Sequence, residues 1–403
     1  MNETMRRLGA ERSAIRELFE YGKARAAEVG ADRVFDFSIG NPSVPTPREV
    51  TQELERLLRE TEPTLLHGYT SAQGDPIARR AVADSLSRSH STRLDPELIY
   101  LTAGAAASLT ISLNAILNPG DEVILLAPYF PEYRVFVERA GGRVVVVTPN
   151  RETFLPDLAA LEAALTDRTR ALILNFPNNP SGAILPPEQL RALCAILEAR
   201  QRQNGAPIWL LSDEPYRELV WDGSEVPFVP DYYANSMVLY SFSKSLSLPG
   251  ERIGYIAVSP RAENAAAAYQ AVCGAGRALG FVCAPSLFQR LIPTCVGLTA
   301  DFSVYRKNRS LLWEGLTELG FDAVDPQGAF YLFLRSPEED ANAFAERARA
   351  RDLLVVPSDS FGLCGYVRIS YCVPTERILG ALPLFAELAE EYGLRKRPRG
   401  KDR

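Results

Sequence analysis

The stretch that decides the fold is residues 208–216, IWLLSDEPY. It opens with four apolar residues in a row and passes through Ser212 to a carboxylate, Asp213, and soon afterwards to a proline. A continuous apolar run of strand length, rather than an alternating one, is typical of a β-strand that is buried on both faces. We therefore predict a strand over residues 208–212 in a sheet that is covered on both sides.

Similar apolar runs lie before and after this stretch along the chain. We predict strands over residues 98–101, 123–127, 143–147, 171–175, 237–241 and 252–258, with helical stretches such as residues 187–200 between them. Alternation of strands and helices indicates a mostly parallel sheet that is flanked by helices. The predicted fold class is therefore α/β.

A second pattern begins near residue 280. Helix-like segments over residues 300–319 and 342–351 alternate there with shorter strands over 331–334, 353–356 and 367–371, which indicates a smaller α+β domain. We expect this domain to be built from both chain ends. The predicted organisation is an N-terminal arm (1–45) that packs with the small domain, a large domain (46–280), the small domain (281–394) and a disordered basic tail (395–403).

Three helix starts are predicted from capping residues. Thr46, Pro47 and Glu49 fit an N-cap, a proline at the first helical position and a capping box, so we expect a helix from here to about residue 61. The pairs Asp75-Pro76 and Asp95-Pro96 are similar starts.

Composition excludes several classes of function. The 403 residues include 44 Lys and Arg against 50 Asp and Glu, a net charge of −6, which argues against a dedicated nucleic-acid binder because such a protein needs a basic face. No apolar run reaches the roughly 18 residues that span a bilayer, so we expect no membrane segment. The first seven residues are charged and lack an apolar core, so we expect no signal peptide and a cytoplasmic enzyme.

Potential metal ligands are scarce in this chain. The only histidines are His67 and His90, and the six cysteines lie far apart with no C-x-x-C pair. These counts and spacings exclude a His-rich metal site, the common zinc sites and a compact disulfide framework. We therefore predict no metal site.

A lysine follows the predicted strand 237–241, at the end of the sheet where active groups of open α/β proteins lie. Lys244 stands among hydroxyls in residues 241–245, SFSKS, and a lysine with a depressed pKa can form a Schiff base. Ser241, Ser243 and Arg252 are suited to bind a phosphate. The alternative is a surface lysine in a polar loop.

Two other strands are followed by polar groups. Asp213 leaves a buried strand and needs a cationic partner, for which a pyridinium N–H would serve, and Tyr216 is placed to donate to an oxygen of the same ring. Asn179 lies in the rigid turn 176–182, FPNNPSG, where its amide is suited to a ring oxygen or a carboxylate. The alternatives are a helix-capping Asp213 and a plain turn.

Three further fragments allow binding roles. Ala105 and Ala106 follow Gly104 at a predicted helix start, where backbone N–H groups bind anions. Phe130 follows the strand 123–127 and is suited to stack on a planar cofactor. Arg368 presents a guanidinium fork that matches a carboxylate. A small-residue turn, a core aromatic and an edge-strand charge are the respective alternatives.

Together and in this order, these fragments resemble the class I and II (fold type I) pyridoxal-phosphate aminotransferases, in particular the aspartate aminotransferase group. The most specific parts are residues 178–182 (NNPSG), residues 213–216 (DEPY), and residues 241–244 (SFSK) with Arg252. The resemblance extends from residues 39–42 (IGNP) to residues 368–370 (RIS), which is most of the chain.

The resemblance implies pyridoxal 5′-phosphate as cofactor and assigns the residues around its ring. Lys244 would hold the cofactor and act as the catalytic acid and base. Asp213 would pair with the ring nitrogen, Asn179 and Tyr216 would bond to the phenolic oxygen, and Phe130 would stack on the ring.

The resemblance also implies a phosphate site, a substrate site and a homodimer. The phosphate would be bound by the backbone of Ala105 and Ala106, by Ser241, Ser243 and Arg252, and by Tyr69 of the neighbouring subunit. Arg368 would bind the substrate α-carboxylate, with Asn179 and Gly40 in the same pocket.

The reaction implied is ping-pong transfer of an amino group from an L-amino acid, with aspartate as the best guess, to a 2-oxo acid such as 2-oxoglutarate. A lyase, decarboxylase or synthase of the same fold is the alternative, because the residues of the site, rather than the fold, determine the reaction. A cofactor-binding regulatory domain is a third hypothesis, against which the lack of a basic helix-turn-helix extension argues.

Overall fold

A computed structural model describes residues 1–10, 13–221 and 223–396. The strands of these residues are β1 (Phe35–Asp36), β2 (Ile99–Thr102), β3 (Glu122–Leu126), β4 (Arg143–Val147), β5 (Thr169–Leu174), β6 (Trp209–Asp213), β7 (Ser236–Ser241), β8 (Gly254–Val258), β9 (Tyr331–Arg335), β10 (Leu353–Leu354), β11 (Val356–Pro357) and β12 (Tyr366–Ser370).

Helices occupy much of the remaining chain. They are α1 (Glu3–Ala10), α2 (Ala14–Val29), α3 (Arg48–Glu60), α4 (Pro63–His67), α5 (Pro76–Ser89), α6 (Ala105–Ile116), α7 (Glu132–Arg139), α8 (Leu158–Ala164), α9 (Pro187–Asn204), α10 (Val229–Tyr232), α11 (Phe242–Ser245), α12 (Ala265–Ala278), α13 (Ser286–Cys295), α14 (Ser303–Glu318), α15 (Ala341–Arg349) and α16 (Thr375–Glu391). Over the described residues, none of these helices has the length and apolar character needed to cross a membrane.

The large sheet has seven strands in the order β2-β8-β7-β6-β5-β3-β4. Neighbouring strands run parallel from β4 to β7, and only β8 is antiparallel to its neighbours β7 and β2. The carboxyl ends of the six other strands therefore meet at one edge, which is also where β8 begins. This arrangement confirms the predicted α/β class and places the chain segments after several strands side by side.

Two smaller sheets join the chain ends. Strands β11, β12 and β9 form an antiparallel sheet, while β1 pairs in parallel with β10, with Phe35 opposite Leu353. Most apolar residues of β9 and β12 form a second buried cluster with those of α14 and α16, while Phe333 and Tyr366 pack into a cluster of the large sheet. The smaller α+β part is thus built from both ends of the sequence, as predicted.

One helix does not pack with the domain to which the predicted boundary at residue 280 assigns it. Helix α13 lies beyond residue 280, yet it packs against α3 and α5. Its Leu291, Ile292 and Cys295 join a core cluster with residues of the large sheet. A helix assigned to the small domain therefore lies on the large-domain side, because its apolar face is covered there.

The helix predicted from residue 46 to about residue 61 is present as α3, but its predicted cap is absent, and Asp95 does not start an α-helix. Helix α3 begins at Arg48 after an extended Pro47 without a side-chain cap, and the Thr46 hydroxyl is buried without a partner among the described residues, so the capping box does not form. Asp95 caps only a 3₁₀ turn that leads into β2. Asp75 does cap α5, through bonds from the backbone of Ile77 and Ala78. The predicted tail lies outside the described residues from residue 397 onward.

Candidate active site

A cavity of about 310 Å³ opens at the edge of the large sheet where the parallel strands end. Its wall carries segments that follow β2, β3, β5, β6 and β7, the arginine that precedes β8, and part of β12. The predicted site residues that line it are Gly40, Ala105, Ala106, Phe130, Asn179, Asp213, Tyr216, Ser241, Ser243, Lys244, Arg252 and Arg368.

Lys244 lies in α11, which follows β7 without a break. Its ammonium donates a hydrogen bond to the Gly40 carbonyl at 2.6 Å and lies 5.5 Å from the centre of the Phe330 ring. Burial, together with the guanidinium groups of Arg252 and Arg368, lowers the pKa of this ammonium to about 8. About a tenth of Lys244 is therefore a neutral amine at pH 7, which is the nucleophilic form.

Asp213 ends β6 and is 5 % exposed. One carboxylate oxygen, Oδ2, accepts a hydrogen bond from the Tyr133 hydroxyl, while Oδ1 is buried and has no partner among the described residues. Burial raises the pKa of this carboxyl to about 7, against the opposing effect of the Tyr133 bond. A cationic N–H donor in the cavity would satisfy Oδ1 and stabilise the ionised form.

One end of the cavity is arranged for an anion. Gly104 precedes α6 at a φ of +85°, and a Cβ there would lie only 2.7 Å from Nη2 of Arg252. The first N–H groups of a helix lack intrahelical partners, so those of Ala105 and Ala106 are available there. The hydroxyls of Ser241 and Ser243 lie 2.6 Å apart on the same wall.

Arg368, on β12, supplies a second cationic group to the cavity. Its guanidinium donates to Oδ1 of Asn179 at 3.1 Å and to the Ser38 carbonyl, and it lies between the rings of Tyr331 and Phe361, at 4.7 and 5.2 Å. It is 2 % exposed, and Nε has no hydrogen-bond partner among the described residues. A buried guanidinium without a carboxylate partner in the described chain is suited to an anionic ligand.

The family model described as "Aminotransferase class I and II" matches residues 32–382, which include every residue that lines the cavity except Ile15. The chain belongs to the class I and II aminotransferases. Its reaction is therefore amino-group transfer. This family uses pyridoxal phosphate.

Relatives with names and structures agree with this assignment. The "Probable aspartate/prephenate aminotransferase" of Thermus aquaticus is 35 % identical and covers 90 % of this chain and 94 % of its own. A solved aminotransferase from Eubacterium rectale superposes with a TM-score of 0.95 at 51 % identity and covers 97 % of this chain and 99 % of its own. The aspartate aminotransferase of Thermus thermophilus with maleate gives a TM-score of 0.84 at 30 % identity, with 95 % and 98 % coverage.

Sequence reasoning gave no role to three residues of this aminotransferase that line the cavity with polar side chains: Tyr133, Asn175 and Tyr331. Tyr133 bonds to Asp213, and the side-chain amide of Asn175 donates to the Asp213 backbone carbonyl at 2.8 Å. Asn175 is the last residue of the predicted strand 171–175. The rule that active groups lie at the carboxyl ends of parallel strands, which selected Asp213, therefore applied to Asn175 as well. Nothing in the sequence pattern indicated Tyr331, which reads as the start of an apolar strand.

Tyr69 is the one predicted site residue that does not line the cavity of its own chain. Tyr69 is 94 % exposed, and Leu65 and Ile77, which lie near it in the sequence, are exposed as well. Its predicted contact with a neighbouring subunit of the aminotransferase stays a prediction. No cluster of potential metal ligands occurs in the described part of the chain.

Proposed function

We propose that this aminotransferase binds pyridoxal 5′-phosphate in the cavity and transfers an amino group between an L-amino acid and a 2-oxo acid. When bound, this cofactor supplies an electron sink that stabilises negative charge on the α-carbon of the substrate. The chain's own residues bind and orient both partners and move the proton.

The residues of the cavity fit this cofactor at both of its ends. The unpartnered Oδ1 of Asp213 is an acceptor for a protonated ring nitrogen, and Tyr133 keeps the other oxygen in place. The start of α6, with Arg252 packed against Gly104, fits a phosphate, because a side chain at residue 104 would fill the space that the guanidinium occupies.

Lys244 has the position and the pKa for covalent attachment and proton transfer. With a pKa of about 8, its neutral amine is accessible near neutral pH and reacts with an aldehyde. As a neutral amine, Nζ would also take the α-proton of the substrate and hold it. The Gly40 carbonyl accepts a bond from Nζ at 2.6 Å and so fixes its place at the cavity wall.

Arg368 binds the α-carboxylate of the amino acid. Its charge has no acidic partner in the described chain, and Asn179 and two aromatic rings hold its orientation. A fixed carboxylate determines which bond at the α-carbon faces the reacting group, which favours proton removal over other cleavages. Aspartate, named in the relatives, is the donor we propose to test first.

The single observation that carries the proposal is the meeting of Lys244, the unpartnered Asp213 oxygen and Arg368 on one cavity wall. The test is the absorption spectrum of the purified protein with pyridoxal 5′-phosphate, before and after L-aspartate. We expect a protein-bound band that converts to the amine form and returns with 2-oxoglutarate. An unchanged band with aspartate, followed by conversion with another amino acid, would change only the donor.

Two results would overturn the proposal. The first is the absence of any bound band in the wild type, with Lys244→Ala behaving in the same way. The second is release of ammonia or pyruvate without a 2-oxo acid acceptor, which would identify a lyase. Arg191→Lys, a change on α9 away from the cavity, is the control for handling and purity.

We also propose that the enzyme acts as a homodimer in which Tyr69 reaches the phosphate of the neighbouring subunit. The exposed Tyr69, Leu65 and Ile77 side chains support a contact surface at this place. Sedimentation should give twice the chain mass, and Tyr69→Phe should weaken cofactor retention without changing that mass. The cytoplasmic location expected from the sequence stays a prediction.

A further inference from the structure

We propose that Tyr331 is a positioning residue that donates its hydroxyl hydrogen to Tyr216, so that the Tyr216 hydrogen is directed at the bound cofactor. The inference rests on the proposed function, since it concerns a group that the cavity would hold. It adds to that function a residue for which sequence reasoning found no role.

The contacts of Tyr331 are with groups that the proposed function uses. Its hydroxyl lies 3.0 Å from the hydroxyl of Tyr216, and both side chains line the cavity. A Cβ on Gly40 would lie 2.0 Å from the Tyr331 oxygen, so this hydroxyl passes directly over the residue whose carbonyl holds Lys244. Neither tyrosine is more than 5 % exposed.

The hydroxyls of Tyr216 and Tyr331 together carry two hydrogens, and one of them is available to a ligand. Burial raises the pKa of Tyr331 to about 12 and that of Tyr216 well above its ordinary value, so both hydroxyls are protonated near neutral pH. One of the two hydrogens forms the bond between them, and the other is free to bond to an acceptor in the cavity. The pair can therefore serve one ligand oxygen, and the direction of the bond decides which tyrosine serves it.

The position of Arg368 favours donation from Tyr331. The guanidinium lies 4.7 Å from the centre of the Tyr331 ring, and a nearby positive charge makes a phenol a stronger acid and a better donor. Arg368 lowers the pKa of both hydroxyls, but its guanidinium lies over the ring of Tyr331. Tyr216 then accepts from Tyr331 and donates into the cavity, and bonds in such a chain strengthen one another.

The test removes only the hydroxyl, in the full-length protein loaded with pyridoxal 5′-phosphate. Tyr331→Phe keeps the ring against Arg368 and deletes the donor to Tyr216. A weaker bond from Tyr216 to the cofactor oxygen makes the bound Lys244 nitrogen easier to protonate. We expect the pH midpoint of the absorption change to rise by about half to one unit, the size of one hydrogen bond, with KM for the amino acid within twofold.

The matched control is Tyr233→Phe. The Tyr233 hydroxyl donates to the Ile208 carbonyl at 2.8 Å, at the opposite end of β6 from Asp213, so this variant also loses a buried hydrogen bond. Its spectral midpoint should stay at the wild-type value. Tyr331→Leu, which also removes the ring from Arg368, should raise both the midpoint and KM.

A double-mutant cycle decides whether Tyr331 acts through Tyr216. The midpoint shift of Tyr331→Phe should vanish in a Tyr216→Phe background. A shift of the same size in both backgrounds, or no shift in the single variant, refutes the proposal. If Tyr331→Phe does not fold, Gly40→Ala displaces the same hydroxyl, and an unchanged midpoint there also refutes it. A wild-type protein that binds no cofactor would instead refute the proposed function.

Discussion

Replacing Asp213 by Asn should stabilise the cofactor-free protein while weakening its hold on the cofactor. In the folded chain, burial raises the pKa of Asp213 from 3.8 to about 7, a shift of about three units. At about 1.4 kcal/mol per unit, the ionised carboxylate costs the folded state about 4 kcal/mol near pH 8. Asn keeps the shape and cannot ionise, so it removes this cost.

The sign and the pH window follow from proton linkage. Between pH 4 and 7 residue 213 binds more protons in the folded wild type than in the unfolded chain, so its contribution to stability falls as pH rises through this range. We expect Asp213→Asn to exceed the wild type in unfolding free energy by about 4 kcal/mol at pH 8 and by about 2 kcal/mol at pH 5. Cofactor affinity should move the other way and fall at least tenfold, because a charge-assisted bond of about 1.5–3 kcal/mol is lost.

The assay is urea unfolding of the cofactor-free proteins at the two pH values, followed by circular dichroism. Asp167→Asn is the control, because it removes the same charge at an exposed position and should change stability little at either pH. A variant that is no more stable than the wild type at pH 8, or a gain that does not shrink at pH 5, would refute the reasoning that Asp213 is buried as an uncompensated charge.

Three further predictions concern the cations of the cavity. Lys244→Ala should leave no cofactor that borohydride can fix to the chain, which mass spectrometry of the reduced protein measures; fixation at another lysine would contradict the assignment. Wild-type Lys244 should react with pyridoxal 5′-phosphate at half its maximal rate near pH 8, and a half-maximum near the ordinary lysine pKa of 10.5 would show that burial does not depress it. Arg368→Lys keeps the charge and loses the planar fork, so KM for the amino acid should rise roughly tenfold or more in steady-state kinetics, with cofactor binding unchanged.

The sequence predicted the large sheet well because its strands are buried on both faces and read as uninterrupted apolar runs. Predicted strands such as 208–212 and 143–147 lie within one or two residues of the observed β6 and β4. The rule that ligands bind beyond the carboxyl ends of parallel strands then selected Asp213 and Lys244, since each is the polar residue that follows such a run.

Features that depend on contacts between distant segments could not be predicted from the sequence. The role proposed for Tyr331 depends on its short distances to Tyr216 and Gly40. These distances result from the approach of the small sheet to the large one. The position of α13 likewise depends on which core covers its apolar face. The capping box predicted at Thr46 is absent because Pro47 is extended and α3 begins at Arg48, one residue later than predicted.

The pairing of Phe35 with Leu353 also constrains the order in which a newly made chain can mature. The segment that carries Gly40 leaves the ribosome early, but its partner strand follows more than three hundred residues later. At about 5–20 residues per second, this is a wait of roughly 15 to 60 s. Asp213, at the end of β6, and Lys244, on α11, are synthesised well before that moment, while Arg368 emerges after it. During synthesis, the residues proposed to hold the cofactor at its ring and phosphate therefore precede Arg368, which is proposed to bind the amino acid.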